Sequence, residues 1–204
     1  MTDTTVTAQS VKALRDKTGA GMMDSKKALV EAGGDLDLAT KLLREKGIAK
    51  VAKREGRATK EGLVYSYIHP GDRLGVLIEL NCETDFVART DDFRDLAKEM
   101  AMQIAAANPQ VISADELPQE AIDEERDTLR KQALNEGKPE AVVEKIVEGR
   151  IKKYQQEACL LLQPFIKDQD RTVGDLLTAT ASKVGENITI SRFVRFRLGD
   201  DTPA

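Results

Sequence analysis

The residues that could carry covalent chemistry are few in this sequence. His69 is the single histidine, and Cys82 and Cys159 are the two cysteines. A thiol and an imidazole can act as nucleophile and base, but no third residue that would orient the Cys82 and His69 pair is evident. The acidic pairs Asp91-Asp92 and Asp200-Asp201 lack the spacing of a metal-binding loop. The sequence therefore predicts no catalytic residue, no metal site and no cofactor.

Length and composition indicate a globular protein. The 204 residues fit one large domain, or one small and one medium domain. The chain is 41% apolar and 32% charged, which predicts a packed core and a well-solvated surface. Its net charge of −4 predicts no bulk attraction to nucleic acid. We expect a soluble cytoplasmic protein with neither a signal peptide nor a membrane span, and the distant cysteines argue against a disulfide framework or a structural zinc site.

The stretch TGAGMMDSKKAL, residues 18–29, resembles a phosphate-binding loop at first sight. It lacks the GK[ST] sequence of such loops, Asp24 stands where a third glycine is needed, and a helix rather than a strand precedes it. We interpret it as a glycine turn between helices. Met22 and Met23 stand at this turn, where they either fill the bundle or offer an adaptable apolar contact to a partner.

Residues 1–47 are predicted to form a three-helix unit. Val11 and Leu14 lie three residues apart on the first helix, and Asp24 is expected to cap the second. Asp35 is expected to cap the third, which should end at Gly47. The basic segment of residues 48–62 follows, and we interpret it as a solvated linker. RNA contact is the weaker alternative, because the segment has no aromatic side chains on which bases could stack.

Residues 63–199 are predicted to form an α+β core domain, with residues 200–204 as a tail. Two alternating runs flank Pro70-Gly71-Asp72-Arg73 and predict an antiparallel hairpin. Helical patterns follow, and the last run, ITISRFVRFRL, should be a strand that joins the hairpin. Its predicted apolar face consists of Ile188, Ile190, Val194, Phe196 and Leu198. The architecture expected is a small antiparallel sheet covered by helices.

The loop NCETDFVAR, residues 81–89, places a large ring where the second strand of the hairpin should turn into water. A phenylalanine in a strand-to-helix loop ordinarily folds back into its own core. Phe86 therefore has two interpretations, one as a core residue and one as a ring presented to a partner. The residues of the loop do not by themselves decide between the two.

Five stretches of the chain resemble the bacterial translation elongation factor Ts family, in its short form. The resemblance extends from about residue 6 to residue 199, and TGAGMMD and NCETDFVA are its most specific parts. The stretches are VKALRDKTGAGMMDSKKAL, ELNCETDFVAR, LNEGKPEAVVEKIVEGRIKKY, QPFIKD and VGENITISRF.

The resemblance implies a guanine-nucleotide exchange factor for elongation factor Tu. It implies that the N-terminal unit is similar to a ubiquitin-associated fold and docks on the GTPase domain, with Val11, Leu14, Met22 and Met23 as its docking residues. It also implies that Thr84, Asp85, Phe86 and Val87 reach the Mg²⁺ end of the nucleotide site, where the ring wedges between helices and disturbs the metal and the phosphate loop. The alternative left open is a non-catalytic adaptor that acts through the three-helix unit.

The short form implies a homodimer. Longer members of the family carry two versions of the sheet-and-helix subdomain, whereas this sequence carries one. A second copy of the chain could supply the missing surface near the last strand, giving a two-plus-two complex with elongation factor Tu. Phe193, on the less apolar face of that strand, is the predicted dimer contact.

Overall fold

The structure is a computed structural model that describes residues 6–200. The chain divides into two compact units. The first holds the chain up to Gly62 together with Cys82–Phe93 and Leu177–Thr189. The second holds Leu63–Asn81, Arg94–Leu176 and the chain from Ile190. The predicted division into residues 1–47, 48–62 and 63–199 partitions the chain differently and stays a prediction, and all of the predicted tail except Asp200 lies outside the described residues.

The first unit contains a bundle of three helices, α1 (Ala8–Thr18), α2 (Met22–Glu31) and α3 (Leu36–Ala52). Gly19 ends α1 with φ of 69°, a left-handed conformation that glycine adopts without steric cost. Asp35 caps α3, as predicted, because its carboxylate accepts the backbone N–H groups of Asp37 and Leu38 at 2.8 and 2.9 Å. The buried core of the bundle consists of Val11, Leu14, Ala28, Leu29, Ala32 and Ala39.

Two predicted helix boundaries in the bundle are wrong. Asp24 does not cap α2, which begins two residues earlier, at Met22. The Asp24 carboxylate instead accepts a hydrogen bond from Lys50 Nζ at 2.9 Å. Gly47 does not end α3, because the helix continues to Ala52. A Cβ atom at Gly47 would lie 2.5 Å from Ser182 Oγ, so the glycine serves close packing rather than termination.

The second unit is built on a three-stranded sheet in the order β1-β2-β5, from β1 (Glu61–Ile68), β2 (Leu74–Cys82) and β5 (Ile188–Arg197). The first two strands form the predicted hairpin, and the last strand joins it as an edge strand, also as predicted. Val76, Ile78 and Leu80 are buried along one face of β2. The α+β class predicted from the sequence is confirmed.

Helices account for most of the remaining chain. They are α4 (Asp85–Ala88), α5 (Asp91–Ala107), α6 (Gln119–Asn135), α7 (Glu140–Ala158) and α8 (Val173–Val184). One face of α5 is buried and consists of Phe93, Leu96, Ala97, Met100 and Ile104. The helices α6 and α7 form a helical hairpin with its own core around Leu129, Val143 and Val147. The sequence did not predict a small antiparallel pair, β3 (Pro164–Phe165) and β4 (Asp168–Thr172). Within residues 6–200, no helix has both the length and the apolar character that crossing a membrane requires.

The prediction that the apolar residues of β5 face the core is wrong for the second half of the strand. Ile188 is buried, but Val194 and Phe196 are 41% and 63% exposed. The side chain of Arg195 takes the inward position, where its Nε atom donates a hydrogen bond to the carbonyl of Ala105 at 3.3 Å. Val194 and Phe196 flank Arg195 in the strand, and their side chains therefore lie on the face opposite to the Arg195 side chain.

Candidate functional site

The loop after β2 presents an aromatic ring to solvent. Thr84 has extended backbone dihedrals and begins the single turn α4. Val87 and Ala88 are both 8% exposed, so they anchor the turn, whereas Phe86 is 80% exposed. Neighbouring residues of a helix point about 100° apart, which allows one turn to bury Val87 while it presents Phe86. The interpretation of Phe86 as a core residue is therefore excluded.

Exposure of the Phe86 ring to water is unfavourable in free energy. Full burial of a phenylalanine side chain is worth about 1.5–3 kcal/mol, and at 80% exposure most of that free energy is not realised within the chain. A partner that encloses the ring would gain it on binding. The loop therefore has the character of a contact site and not of a core element.

Asp85 makes a surface ion pair. Its carboxylate lies 2.8 Å from the guanidinium of Arg89, and the two side chains are 45% and 76% exposed. Pairs of this kind contribute little to stability, usually less than about 1 kcal/mol. The Asp85 carboxylate can therefore leave Arg89 at small cost when another charged or hydrogen-bonding group approaches.

Glu186, which follows α8, is bonded to the start of the loop. Its Oε2 atom accepts the backbone N–H groups of Glu83 and Thr84, each at 3.0 Å, and its Oε1 atom accepts the Thr84 hydroxyl at 2.6 Å. Sequence reasoning missed Glu186 because it lies 102 residues from Thr84 and no local spacing joins them. The stretch VGENITISRF was its only sequence signal.

Glu83 makes the reciprocal contacts. Its Oε1 atom accepts the backbone N–H of Asn187 at 2.7 Å, and its Oε2 atom accepts a hydrogen bond from Arg57 Nη1 at 3.2 Å. The Asn187 hydrogen bond, with a further contribution from Arg57, holds the pKa of Glu83 below its usual value. These contacts therefore favour the ionised form of Glu83.

Cys82 is a structural thiol. It is fully buried, its Sγ atom donates to the carbonyl of Thr84 at 3.1 Å, and burial raises its pKa to about 11. A thiol so rarely ionised at neutral pH is a poor nucleophile. The ring of His69 is engaged elsewhere, since its Nδ1 atom lies 2.9 Å from the Tyr67 hydroxyl. Among residues 6–200, no group of three His, Cys, Asp or Glu side chains is placed to hold a metal ion.

The predicted docking residues of the bundle fall into two classes. Met22 and Met23, at the start of α2, are 47% and 63% exposed. Val11 and Leu14 are 6% and 0% exposed and belong to the bundle core, and their part in docking stays a prediction. Helix periodicity marks an apolar face, and a small bundle needs that face for its own core.

The predicted dimer contact, Phe193, is half-buried. Phe196, three residues later on β5, is 63% exposed. It lies with Ile68 and Leu77 along an open groove of about 570 Å³ on the uncovered face of the sheet. The role of Phe193 stays a prediction, but Phe196 is the ring that a second chain can reach.

Comparison with known proteins gives a consistent result. A family model described as Elongation factor TS matches residues 6–200. Elongation factor Ts of Carboxydothermus hydrogenoformans is 60% identical over 195 residues, which cover 96% of this chain and 90% of that protein. Elongation factor Ts of Moorella thermoacetica is 58% identical, over 96% of both chains. Elongation factor Ts of Thermoanaerobacter sp. is 59% identical, also over 96% of both.

Proposed function

Because the chain belongs to the elongation factor Ts family, we propose that it is a guanine-nucleotide exchange factor that binds elongation factor Tu–GDP and promotes GDP release during translation elongation. The observation that supports this most strongly is the 80% exposure of Phe86 on a loop whose neighbouring residues are anchored. Exchange makes and breaks no covalent bond, which agrees with the poor nucleophile found at Cys82. A translation factor works in the cytoplasm, and we place the chain there.

Phe86 acts as a wedge in this proposal. GDP is held on a GTPase by Mg²⁺ and by backbone N–H groups around its phosphates. A ring that enters between packed helices near these groups moves them together, because packed interiors do not deform gradually. Burial of the ring supplies the free energy that opposes GDP binding. The metal and the phosphate loop are displaced as a result.

Asp85 contributes in one of two ways. Once released from Arg89, its carboxylate can accept hydrogen bonds from donors that otherwise hold the nucleotide, or it can repel the phosphates by charge. Both routes weaken GDP binding, and both are consistent with the weak surface pair that holds Asp85 in the free chain.

The coupling between the two partners is reciprocal. If the chain weakens the binding of GDP to the GTPase by some factor, GDP weakens the binding of the chain by the same factor. The chain therefore accelerates release and uptake alike and leaves the equilibrium between bound nucleotides unchanged. Its action requires no cofactor of its own.

The N-terminal bundle docks on the GTPase domain through Met22 and Met23. Both thioethers are exposed at the start of α2, and unbranched, polarisable side chains of this kind adapt to a partner surface. Val11 and Leu14 support this contact indirectly, because they pack the helices that present it. Docking and wedging are then tasks of different segments of the chain.

The uncovered face of the sheet supports the proposal of a homodimer, and hence of a two-plus-two complex. Ile68, Leu77 and Phe196 are exposed there, and β5 is an edge strand. Sheets commonly pack face to face through such apolar side chains. Two copies related by a twofold axis would cover the same patch on each other, as closed dimers do.

An adaptor without exchange activity is the weaker alternative. An adaptor would need only the bundle. The adaptor hypothesis therefore gives no reason for the exposed ring of Phe86. The test is the release of fluorescent GDP from elongation factor Tu at rising concentrations of the chain. An exchange factor raises the release rate to a plateau, whereas an adaptor forms the complex and leaves the spontaneous rate unchanged.

A further inference from the structure

We propose that Glu186 is a positioning residue for nucleotide release. It lies outside the loop that carries Phe86, and it holds the start of that loop in the shape that keeps the ring exposed. The effect of Glu186 on nucleotide release rests on the proposed exchange function. The restraint of the loop by Glu186 rests on geometry alone. Glu186 touches neither nucleotide nor GTPase in this account and acts only through the loop.

Three hydrogen bonds from the start of the loop converge on the Glu186 side chain. The Glu186 carboxylate accepts two backbone N–H groups and one hydroxyl from the consecutive residues Glu83 and Thr84, at 3.0, 3.0 and 2.6 Å. Hydrogen bonds to a charged acceptor are shorter and about twice as strong as neutral ones. The three bonds fix both the position and the direction of the chain where it enters α4.

The start of α4 has no side-chain cap of its own. A helix leaves its first N–H groups without partners inside the helix, and the residue before it usually supplies a cap. The Thr84 side chain makes no such cap to α4, because its hydroxyl is bonded to Glu186 instead. A single turn has little stability of its own. Burial of Val87 and Ala88 holds the turn against the core, and the Glu186 bonds fix the backbone where the chain enters it.

Hydrogen bonds also run in the opposite direction, from Asn187 to Glu83 and to Arg57. Glu83 accepts the Asn187 backbone N–H at 2.7 Å, and the Asn187 side chain donates to the carbonyl of Arg57 at 3.1 Å. The segment 83–84 and the segment 186–187 thus hold each other through charged groups. Loss of Glu186 removes three of these bonds and leaves two backbone N–H groups of the loop without their acceptor.

The chemistry predicts a graded response. In Glu186→Ala, all three bonds are lost, and the loop can let Phe86 turn onto nearby apolar surface. In Glu186→Gln, the amide oxygen can still accept both N–H groups, and the amide NH₂ can donate to the Thr84 hydroxyl. Glutamine should therefore retain most of the restraint that alanine removes. A role in overall charge would instead be lost in both variants.

The experiment compares the parent chain, Glu186→Ala, Glu186→Gln and a control, Glu144→Ala. Glu144 is an ion-paired glutamate of the helical hairpin, bonded to Arg130. Fluorescent GDP release from elongation factor Tu gives the plateau rate and the half-saturating concentration. We expect Glu186→Ala to lower the plateau rate at least tenfold with the half-saturating concentration within twofold of the parent. Glu186→Gln should remain within threefold of the parent in both quantities.

A second readout follows the loop directly. 4-Fluorophenylalanine placed at position 86 should give one sharp ¹⁹F resonance in the parent and in Glu144→Ala, and a shifted or broadened one in Glu186→Ala. Unchanged ¹⁹F spectra in Glu186→Ala, or a parent plateau rate in that variant, would overturn the proposal. If the parent itself fails to accelerate release, the proposed function fails, and the ¹⁹F comparison still decides whether Glu186 positions the loop.

Discussion

Truncation of Phe86 should slow nucleotide release without unfolding the chain. The ring is 80% exposed in the free chain, so about four-fifths of its burial free energy of 1.5–3 kcal/mol, or about 1.2–2.4 kcal/mol, becomes available on the GTPase. If the ring is buried in the transition state for release, Phe86→Ala should lower the plateau rate by about 8- to 60-fold. The free energy of unfolding should change by less than about 0.5 kcal/mol, as for other exposed positions.

The assay is stopped-flow release of fluorescent GDP from elongation factor Tu, with urea denaturation of each variant alongside. Leu134→Ala is a matched control, because Leu134 is an exposed apolar side chain, 47% accessible, on α6. Phe86→Leu should fall between the parent and Phe86→Ala, since it keeps apolar area but loses the ring. A Phe86→Ala variant that is fully folded and releases GDP at the parent rate would refute the wedge.

Three further predictions concern docking, assembly and acid stability. Replacing Met22 and Met23 by serine should raise the half-saturating concentration at least fivefold and leave the plateau rate nearly unchanged, as measured by the same titration. Phe196→Asp should shift the chain toward monomer in light scattering, because it places like charges across the twofold axis. Phe193→Asp should instead lower thermal stability, since that ring is half-buried. The pKa of Glu83 is lower in the folded chain than its ordinary value of 4.5, so its contribution to stability is present above that pH and is lost as the pH falls through the folded pKa. The difference in unfolding free energy between the parent and Glu83→Gln should therefore be largest near neutral pH and should shrink as the pH falls from 4.5 through the folded pKa.

Local signals in the sequence predicted the elements well. An aspartate followed by a helical stripe is a strong capping signal, and it predicted Asp35 as the cap of α3. The hydrogen bonds of the Asp35 carboxylate confirm this prediction. The hairpin of β1 and β2 follows from two alternating runs around a proline-glycine turn. These features depend on residues close together in the chain, which is why pattern and propensity suffice for them.

Long-range packing explains the failures. Gly47 has the appearance of a helix stop, but it is small because α3 passes close to Ser182, which is far away in the sequence. The second half of β5 has its apolar residues outward because Arg195 reaches the carbonyl of Ala105. Neither contact has a local pattern.

The candidate site was predicted only in part. Residues 84–87 were identified by the resemblance, and the residues of the loop left open whether Phe86 belongs to the core or to a surface. The structure decides that question through the exposure of the ring. Glu186 was not predicted at all, because its role rests on hydrogen bonds to a loop 102 residues earlier.

The central claim is that this chain is a catalyst of nucleotide exchange, and one measurement tests it most directly. Elongation factor Tu loaded with fluorescent GDP is mixed with excess unlabelled nucleotide and with the chain at one-hundredth of the GTPase concentration. We expect all of the labelled GDP to be released, much faster than without the chain, because each copy acts many times and is not consumed. Release at the spontaneous rate, or a fast phase limited to about one-hundredth of the GTPase, would contradict it.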